Sequence, residues 1–176
     1  MILGLDISTS ITGFTVLTVD GHILHNEAIR LDSKKLESMF QKAQVVKDRL
    51  QQIKDLYDIT EIYIEQSLNA FRPGLSSAQV ILTLGKFNGI VSWICCELFD
   101  KEPNYIGASS ARKKLDIKVE KGANAKEIVL KHILALEPTF KVEYTKHGNP
   151  VAGTYDRADS YVIAKAGYIL CQNQKK

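Results

Sequence analysis

The 176-residue sequence predicts an α/β fold, a mixed five-stranded sheet flanked by helices. Three observations lead there. The chain opens with short β-branched and aromatic runs broken by turn residues, the pattern of an antiparallel meander. Two later strand-like runs alternate with helical stretches, and strands joined through a helix pair in parallel. No repeat and no linker divides the chain, so residues 1–176 are expected to form a single domain.

Taken in order, Met1 to Asp6 reads as a buried strand that ends in the polar turn Ser8-Thr9-Ser10. Gly13 to Val19 is a second strand. Asp20-Gly21 supplies a two-residue hairpin, and His22 to Leu31 returns antiparallel. Asp32 or Ser33 can cap a helix whose apolar positions, Leu36, Met39, Phe40, Ala43, Val46, Leu50, Ile53 and Leu56, recur at steps of three or four. A short strand, Glu61 to Glu65, precedes the chain-breaking Arg72-Pro73-Gly74 and a long helix from about Ser76 to Phe99. Asn104 to Ile106 is a strand, Ser109 can cap a short basic helix, and Ala123 to Glu137 is helical until Pro138. Thr139 to Tyr155 reads as a loop, and a last helix runs from about Asp156 to Leu170. This order of elements is also that of the ribonuclease H-like fold.

Composition narrows the function. Three cysteines cannot form a disulfide framework, and no Cys-x-x-Cys or His-x-x-x-His pair offers a zinc site. No leader is read at the N-terminus and no apolar stretch is read as long enough for a membrane span, so no membrane partner and a cytoplasmic location are expected. Net charge is only +3, but Arg112 to His132 holds seven basic and three acidic residues. On charge alone that segment is a solvated helix surface or a phosphate-binding one.

Four acids stand where apolar surroundings would ordinarily exclude them. Asp6 closes a strand in GLDIS and Glu65 closes another in IYIEQ; Asp156 and Asp159 open the last helix, three apart and so on one face. Each has an ordinary structural explanation, as a strand-end polar group, an N-cap or a first-turn acid. Together they suggest a single cluster. Two carboxylates about 4 Å apart repel by roughly 4 kcal/mol at an effective dielectric of about 20, so the cluster calls for cations or protons. Oxygen-only ligands favour hard ions, Mg2+ with Mn2+ as a substitute. Two such ions per site would suit phosphodiester cleavage, with Asp6 bridging them and the other three acids completing both spheres.

The motifs resemble those of the RuvC-type Holliday junction resolvases, which belong to the ribonuclease H-like superfamily. The resemblance runs through ILGLDISTSITGFTVL, YIEQSLNAF, LGKFNGIVSWICCEL, SSARKKLDIKVEKGANAKEIV and YDRADSYVIA, most of the chain. It implies that Asp6, Glu65, Asp156 and Asp159 are catalytic and metal-binding. It further implies a homodimeric, magnesium-dependent endonuclease that nicks paired strands of a four-way DNA junction. The dimer would pack through the helix holding Leu84 to Trp93, which by its apolar content alone could equally be a core element. Lys113 or Lys114 and Lys126 correspond to the family's basic residues; with Arg112 and Lys118 they form the expected DNA-binding set. Phe71 either wedges against an unstacked base or folds onto its own core.

Two features depart from the family. The Thr139 to Tyr155 loop is longer and carries Lys141, Lys146 and His147, where His147 is either an ordinary loop histidine or an aid to water activation. Arg157, between the two aspartates, is expected to face outward to a phosphate. These departures suggest a phage, viral or organellar member, located in a host cytoplasm, a viral factory or an organellar matrix. Flaps, forks and other branched DNA then join four-way junctions as candidate substrates. Two other functions compete. A nuclease acting on RNA would use the same acids, and GLDISTSITG also resembles the phosphate-cradling turn of sugar kinases and actin-like ATPases. The latter need a second domain and an adenosine motif, neither of which is read here, so no nucleotide cofactor is expected.

Overall fold

A computed structural model describes residues 1–66 and 78–174. Its sheet has the strand order β3-β2-β1-β4-β5, built from β1 (Ile2–Asp6), β2 (Ile11–Leu17), β3 (Ile23–Arg30), β4 (Glu61–Glu65) and β5 (Asn104–Ile106). The meander β1-β2-β3 is antiparallel, while β4 and β5 add in parallel beyond β1. This is the mixed five-stranded sheet expected from the sequence. The Asp20-Gly21 hairpin is present, closed by the Thr18 amide on the His22 carbonyl at 2.9 Å.

Strand alternation divides the interior into two cores. Leu3, Leu5, Phe14, Val16, Ile62 and Ile64 face one side, where they meet α1 (Met39–Leu56) and α2 (Ala78–Phe99). Ile2, Leu17 and Tyr63 face the other, beneath α3 (Ala108–Lys114), α4 (Ala125–Leu136) and α5 (Thr154–Gln174). Since side chains alternate along a strand, Gly4 and Asp6 share the α5 side with Ile2, and Glu65 shares it with Tyr63.

The helix α5 lies unusually close to the sheet. A Cβ on Gly4 would stand 2.5 Å from the Ala164 backbone nitrogen, and one on Gly13 would stand 2.1 Å from the Asp156 carbonyl oxygen. The missing side chains are therefore what lets α5 cross β2 and β1 in direct backbone contact. Its first turn sits over Gly13, the residue paired with Asp6.

Several local expectations shift. Helix α1 is capped by Ser38, not by Asp32 or Ser33, because Ser38 and Gln41 form a reciprocal capping box. Asp32 instead holds the preceding turn, accepting from the Lys34 amide at 2.9 Å. Gly107, not Ser109, occupies the N-cap of α3. The α5 helix begins at Thr154, so Asp156 lies inside its first turn and is not the N-cap. Finally, α2 is long and apolar enough by length and composition to cross a membrane, contrary to the sequence reading. Its Phe87, Val91, Ile94, Cys95 and Leu98 are buried against the sheet and α1, while Val80, Leu82 and Trp93 of the same helix are exposed.

Candidate active site

The two strand-end acids meet by register. Leu5 pairs with Ile64 in the parallel β1–β4 ladder, so the next residues, Asp6 and Glu65, stand side by side at the strand ends, about 4.8 Å apart in backbone. Both face α5. Asp156 and Asp159 come in from above, because the Gly13 contact seats the first turn of α5 over the strand neighbouring Asp6. Glu65 is tied on both sides. The Gln66 amide donates to the Ile106 carbonyl at 3.0 Å, and Asn88 of α2 donates to the Glu65 carbonyl at 3.2 Å.

A buried polar clamp fixes the start of α5. Thr15 and Ser160 hydroxyls are 2.8 Å apart, and Asn26 donates to Thr15 Oγ1 at 2.7 Å and to the Arg157 carbonyl at 3.0 Å. Arg157 does not face outward to a phosphate. Its guanidinium donates to Asn26 Oδ1 at 2.8 Å and to the Lys141 carbonyl at 3.1 Å, and lies over the Phe140 ring. The sequence reading missed this role of Arg157, Asn26, Thr15 and Ser160. Polar residues on the inner face of β2 and β3, at Thr15 and Asn26, were the available signal.

The electrostatics bind the four acids into one unit. Burial, then Glu65, Asp159 and Asp156, push the Asp6 carboxyl well above the usual carboxylate range, against the pull of Lys126. Burial and Asp159 push Glu65 up to about 7, opposed by Arg112 and Lys126. Burial also raises Asp156 and Asp159, with Lys126 pulling both back. Lys126 therefore lies within electrostatic reach of all four acids, its ammonium 5.7 Å from the centre of the Tyr155 ring. Arg112 reaches Glu65 and Asp159. Lys113, Lys114 and Lys118 are exposed nearby, Lys113 and Lys118 lining a hollow with Arg112. His147 is exposed in the turn between the bridged Tyr144 and Pro150. Phe71 lies outside the described residues.

The donor set suits a hard divalent ion in its chemistry, since it is all carboxylate oxygen and its own repulsion is relieved by added positive charge. Among the described residues, however, no three His, Cys, Asp or Glu side chains stand close enough as they are to hold a metal ion. The carboxylates would have to draw inward on binding one. The Ser8–Ser10 turn, by contrast, does not suit a phosphate cradle. The Ser8 hydroxyl donates to the Ile11 carbonyl at 2.7 Å and accepts from the Ile11 amide at 3.1 Å, while Thr12 Oγ1 donates to the Ser8 carbonyl.

A carboxyl whose folded-state pKa is raised stabilises the fold at low pH and loses that contribution as pH rises through the raised value. Glu65, pushed from 4.5 to about 7, makes this loss one of a few kcal/mol, on the order of 1.4 kcal/mol per unit, shared with the acids that raise it. Without divalent ions the melting temperature should fall as pH rises from about 5 to about 8. Added Mg2+ should restore it at pH 8 and change it little at pH 5. Equal Mg2+ effects at both pH values in scanning calorimetry would contradict the cluster.

No protein-family model matches the chain, and no curated protein matches it by sequence. Solved structures do match. The Thermus thermophilus RuvC in complex with a Holliday junction substrate has a TM-score of 0.71 at 15% identity, covering 98% of this chain and 94% of that one. A second T. thermophilus RuvC structure has a TM-score of 0.69 at 16% identity over 98% and 96% of the two chains. The yeast mitochondrial Holliday junction resolvase Ydc2 has a TM-score of 0.61 at 14% identity over 99% and 80%. The fold is therefore the ribonuclease H-like fold of these resolvases, as the sequence predicts.

Proposed function

We propose that this protein is a structure-selective DNA endonuclease that resolves four-way junctions by paired nicks. The observation that carries the reading is the convergence of Asp6, Glu65, Asp156 and Asp159, from three separate elements, at one end of the sheet where they perturb one another. The fold neighbours support the substrate class, since one is described in complex with a Holliday junction and another is named a Holliday junction resolvase. Asp6, Glu65, Asp156 and Asp159 would hold Mg2+ or Mn2+, two ions per site. Such ions, when bound, activate a water and stabilise the departing oxygen of a phosphodiester. The chain's own share is to gather the carboxylates at that end of the sheet and to orient the DNA. Lys126 and Arg112 would meet phosphates beside the acids, with Lys113, Lys114 and Lys118 extending the basic surface along α3 and the turn after it.

The deciding assay incubates the protein with labelled four-way junction, linear duplex, flap and RNA–DNA hybrid, with and without Mg2+. Paired cuts near the junction centre, only with Mg2+, are expected. Cleavage of the hybrid alone would give the site to RNA, and cleavage without any divalent ion would remove the metal assignment.

The same reading takes the protein as a homodimer. Helix α2 leaves Leu82 52% and Trp93 65% exposed, with Gly85 and Gly89 between them and open space where their Cβ atoms would be. A large apolar side chain and small residues on one stripe suit close approach of a second copy. In sedimentation equilibrium at about 10 μM, the wild type should be dimeric and Trp93→Glu monomeric. A dimer unaffected by Trp93→Glu would place the interface elsewhere. The three cysteines are free, which fits a reducing compartment, the cytoplasm or an organellar matrix; one neighbour is named mitochondrial.

A further inference from the structure

Beyond the acids, around the outer strand β3 and on the α1 side of the sheet, lies a second cationic surface that the nuclease reading has not used. Arg30 ends β3 opposite Ile11, and Lys34 and Lys35 follow before α1. All three are exposed, and none forms an ion pair among the described residues. They rim a cavity of about 790 Å³ whose apolar lining includes Ile11, Leu31, Leu36 and Val45. Asp32 is the one acid on that rim, and its carboxylate accepts from the Lys34 amide.

The position of this rim relative to Asp6 is fixed by bonds. The Leu31 amide donates to the Ser10 carbonyl at 2.8 Å, and Lys42 Nζ donates to the Thr9 carbonyl at 2.7 Å and to Ser33 Oγ at 2.8 Å. Thus the basic segment is anchored to the turn that directly follows Asp6. Strand β3 stands two positions from β1 in the sheet, about 10 Å away. Neighbouring phosphates of one strand lie about 6–7 Å apart, farther than the axial rise of about 3.4 Å, so that span is about one to two nucleotides.

We propose that this groove receives the sugar–phosphate backbone of the substrate strand, about one to two nucleotides from the phosphodiester at the acids. The strand would enter over Arg112 and Lys126, cross the carboxylates, and leave over Arg30, Lys34 and Lys35. Unpaired cations match the phosphates, and the apolar floor accepts deoxyribose. Without cations on both flanks, the four acids would repel the polyanion they must cleave. The inference rests on the nuclease reading and extends it by giving the strand a second point of attachment.

The test compares the wild type with the triple variant Arg30→Gln, Lys34→Gln, Lys35→Gln. All three positions are exposed, and melting by circular dichroism verifies that the variant folds. Fluorescence anisotropy with a labelled four-way junction should show affinity reduced about tenfold or more at about 0.1 M salt. The log–log salt slope should flatten by about 0.9 for each phosphate that the variant no longer neutralises. Junctions carrying uncharged methylphosphonate linkages about one to two nucleotides from the cut should bind the wild type more weakly and leave the variant unchanged. If the wild type binds and cuts junctions but the variant keeps its affinity and salt slope, the groove does not hold DNA and the nuclease reading stands. If the wild type neither binds nor cuts branched DNA, the nuclease reading fails and takes this inference with it.

Discussion

Replacing Asp6 with Asn should reduce junction cleavage about a thousandfold or more while leaving junction affinity within about threefold. The asymmetry follows from where each energy arises. A thousandfold loss in rate is about 4 kcal/mol of transition-state stabilisation, in keeping with a carboxylate central to a metal site. Binding of DNA rests instead on cations facing phosphates, and Asp6 contributes repulsion there, not attraction. The same substitution should raise the melting temperature of the metal-free protein at pH 8. Asp6 is the acid most strongly opposed by burial and by its three neighbours, and an amide removes the charge that they oppose. Activity and metal-free stability should therefore move in opposite directions, as is common where an active site stores unfavourable charge. Single-turnover cleavage, anisotropy and calorimetry on one preparation test all three statements. Normal cleavage by Asp6→Asn would remove Asp6 from the chemistry. Cleavage and binding lost together, with a lowered melting temperature, would mean that Asp6 is structural.

Most of the fold could be read from the chain because its signals are local. Short apolar runs in ILGLD and EIYIE mark buried strands, the Asp20-Gly21 pair marks a hairpin, and the spacing of Ala43, Val46, Leu50 and Ile53 marks a helix. The acids could be picked out for a similar reason: a carboxylate that ends an apolar run is conspicuous in one dimension. What stayed hidden depends on partners distant in sequence. Arg157 looks like a surface cation until Asn26, 131 residues away, is found beside it. The cap of α1 was misplaced because Asp32, Ser33 and Ser38 are all competent caps, and only Ser38 has Gln41 at the position that completes the box. Apolar content in α2 could not distinguish core from interface, since one helix serves both: Phe87 and Val91 are buried while Trp93 is exposed. The basic rim at Arg30, Lys34 and Lys35 had no local signature, because its relevance comes from being bonded to the turn after Asp6.

Gly13→Ala should be among the most damaging single substitutions in the protein, although it adds one methyl group. The added Cβ would stand 2.1 Å from the Asp156 carbonyl oxygen and 2.6 Å from its carbonyl carbon. Backbone atoms of a helix cannot rotate aside as a side-chain terminus can, so α5 must lift or the β2 strand must bend. Overpacking of this kind costs about 3 kcal/mol, which lowers the melting temperature of a chain this size by about 6–12 °C. The damage should also be local to the chemistry. Lifting the first turn of α5 would pull Ser160 from Thr15 and Arg157 from Asn26, and it would carry Asp156 and Asp159 away from Asp6. Cleavage measured well below the lowered melting temperature should then still fall at least tenfold, and the Mg2+-induced rise in melting temperature at pH 8 should shrink. Stability lost without either change would mean that the acid pair is positioned from elsewhere. A variant with wild-type melting and cleavage would contradict the backbone contact that seats α5 over Asp6, and with it the convergence on which the nuclease reading depends.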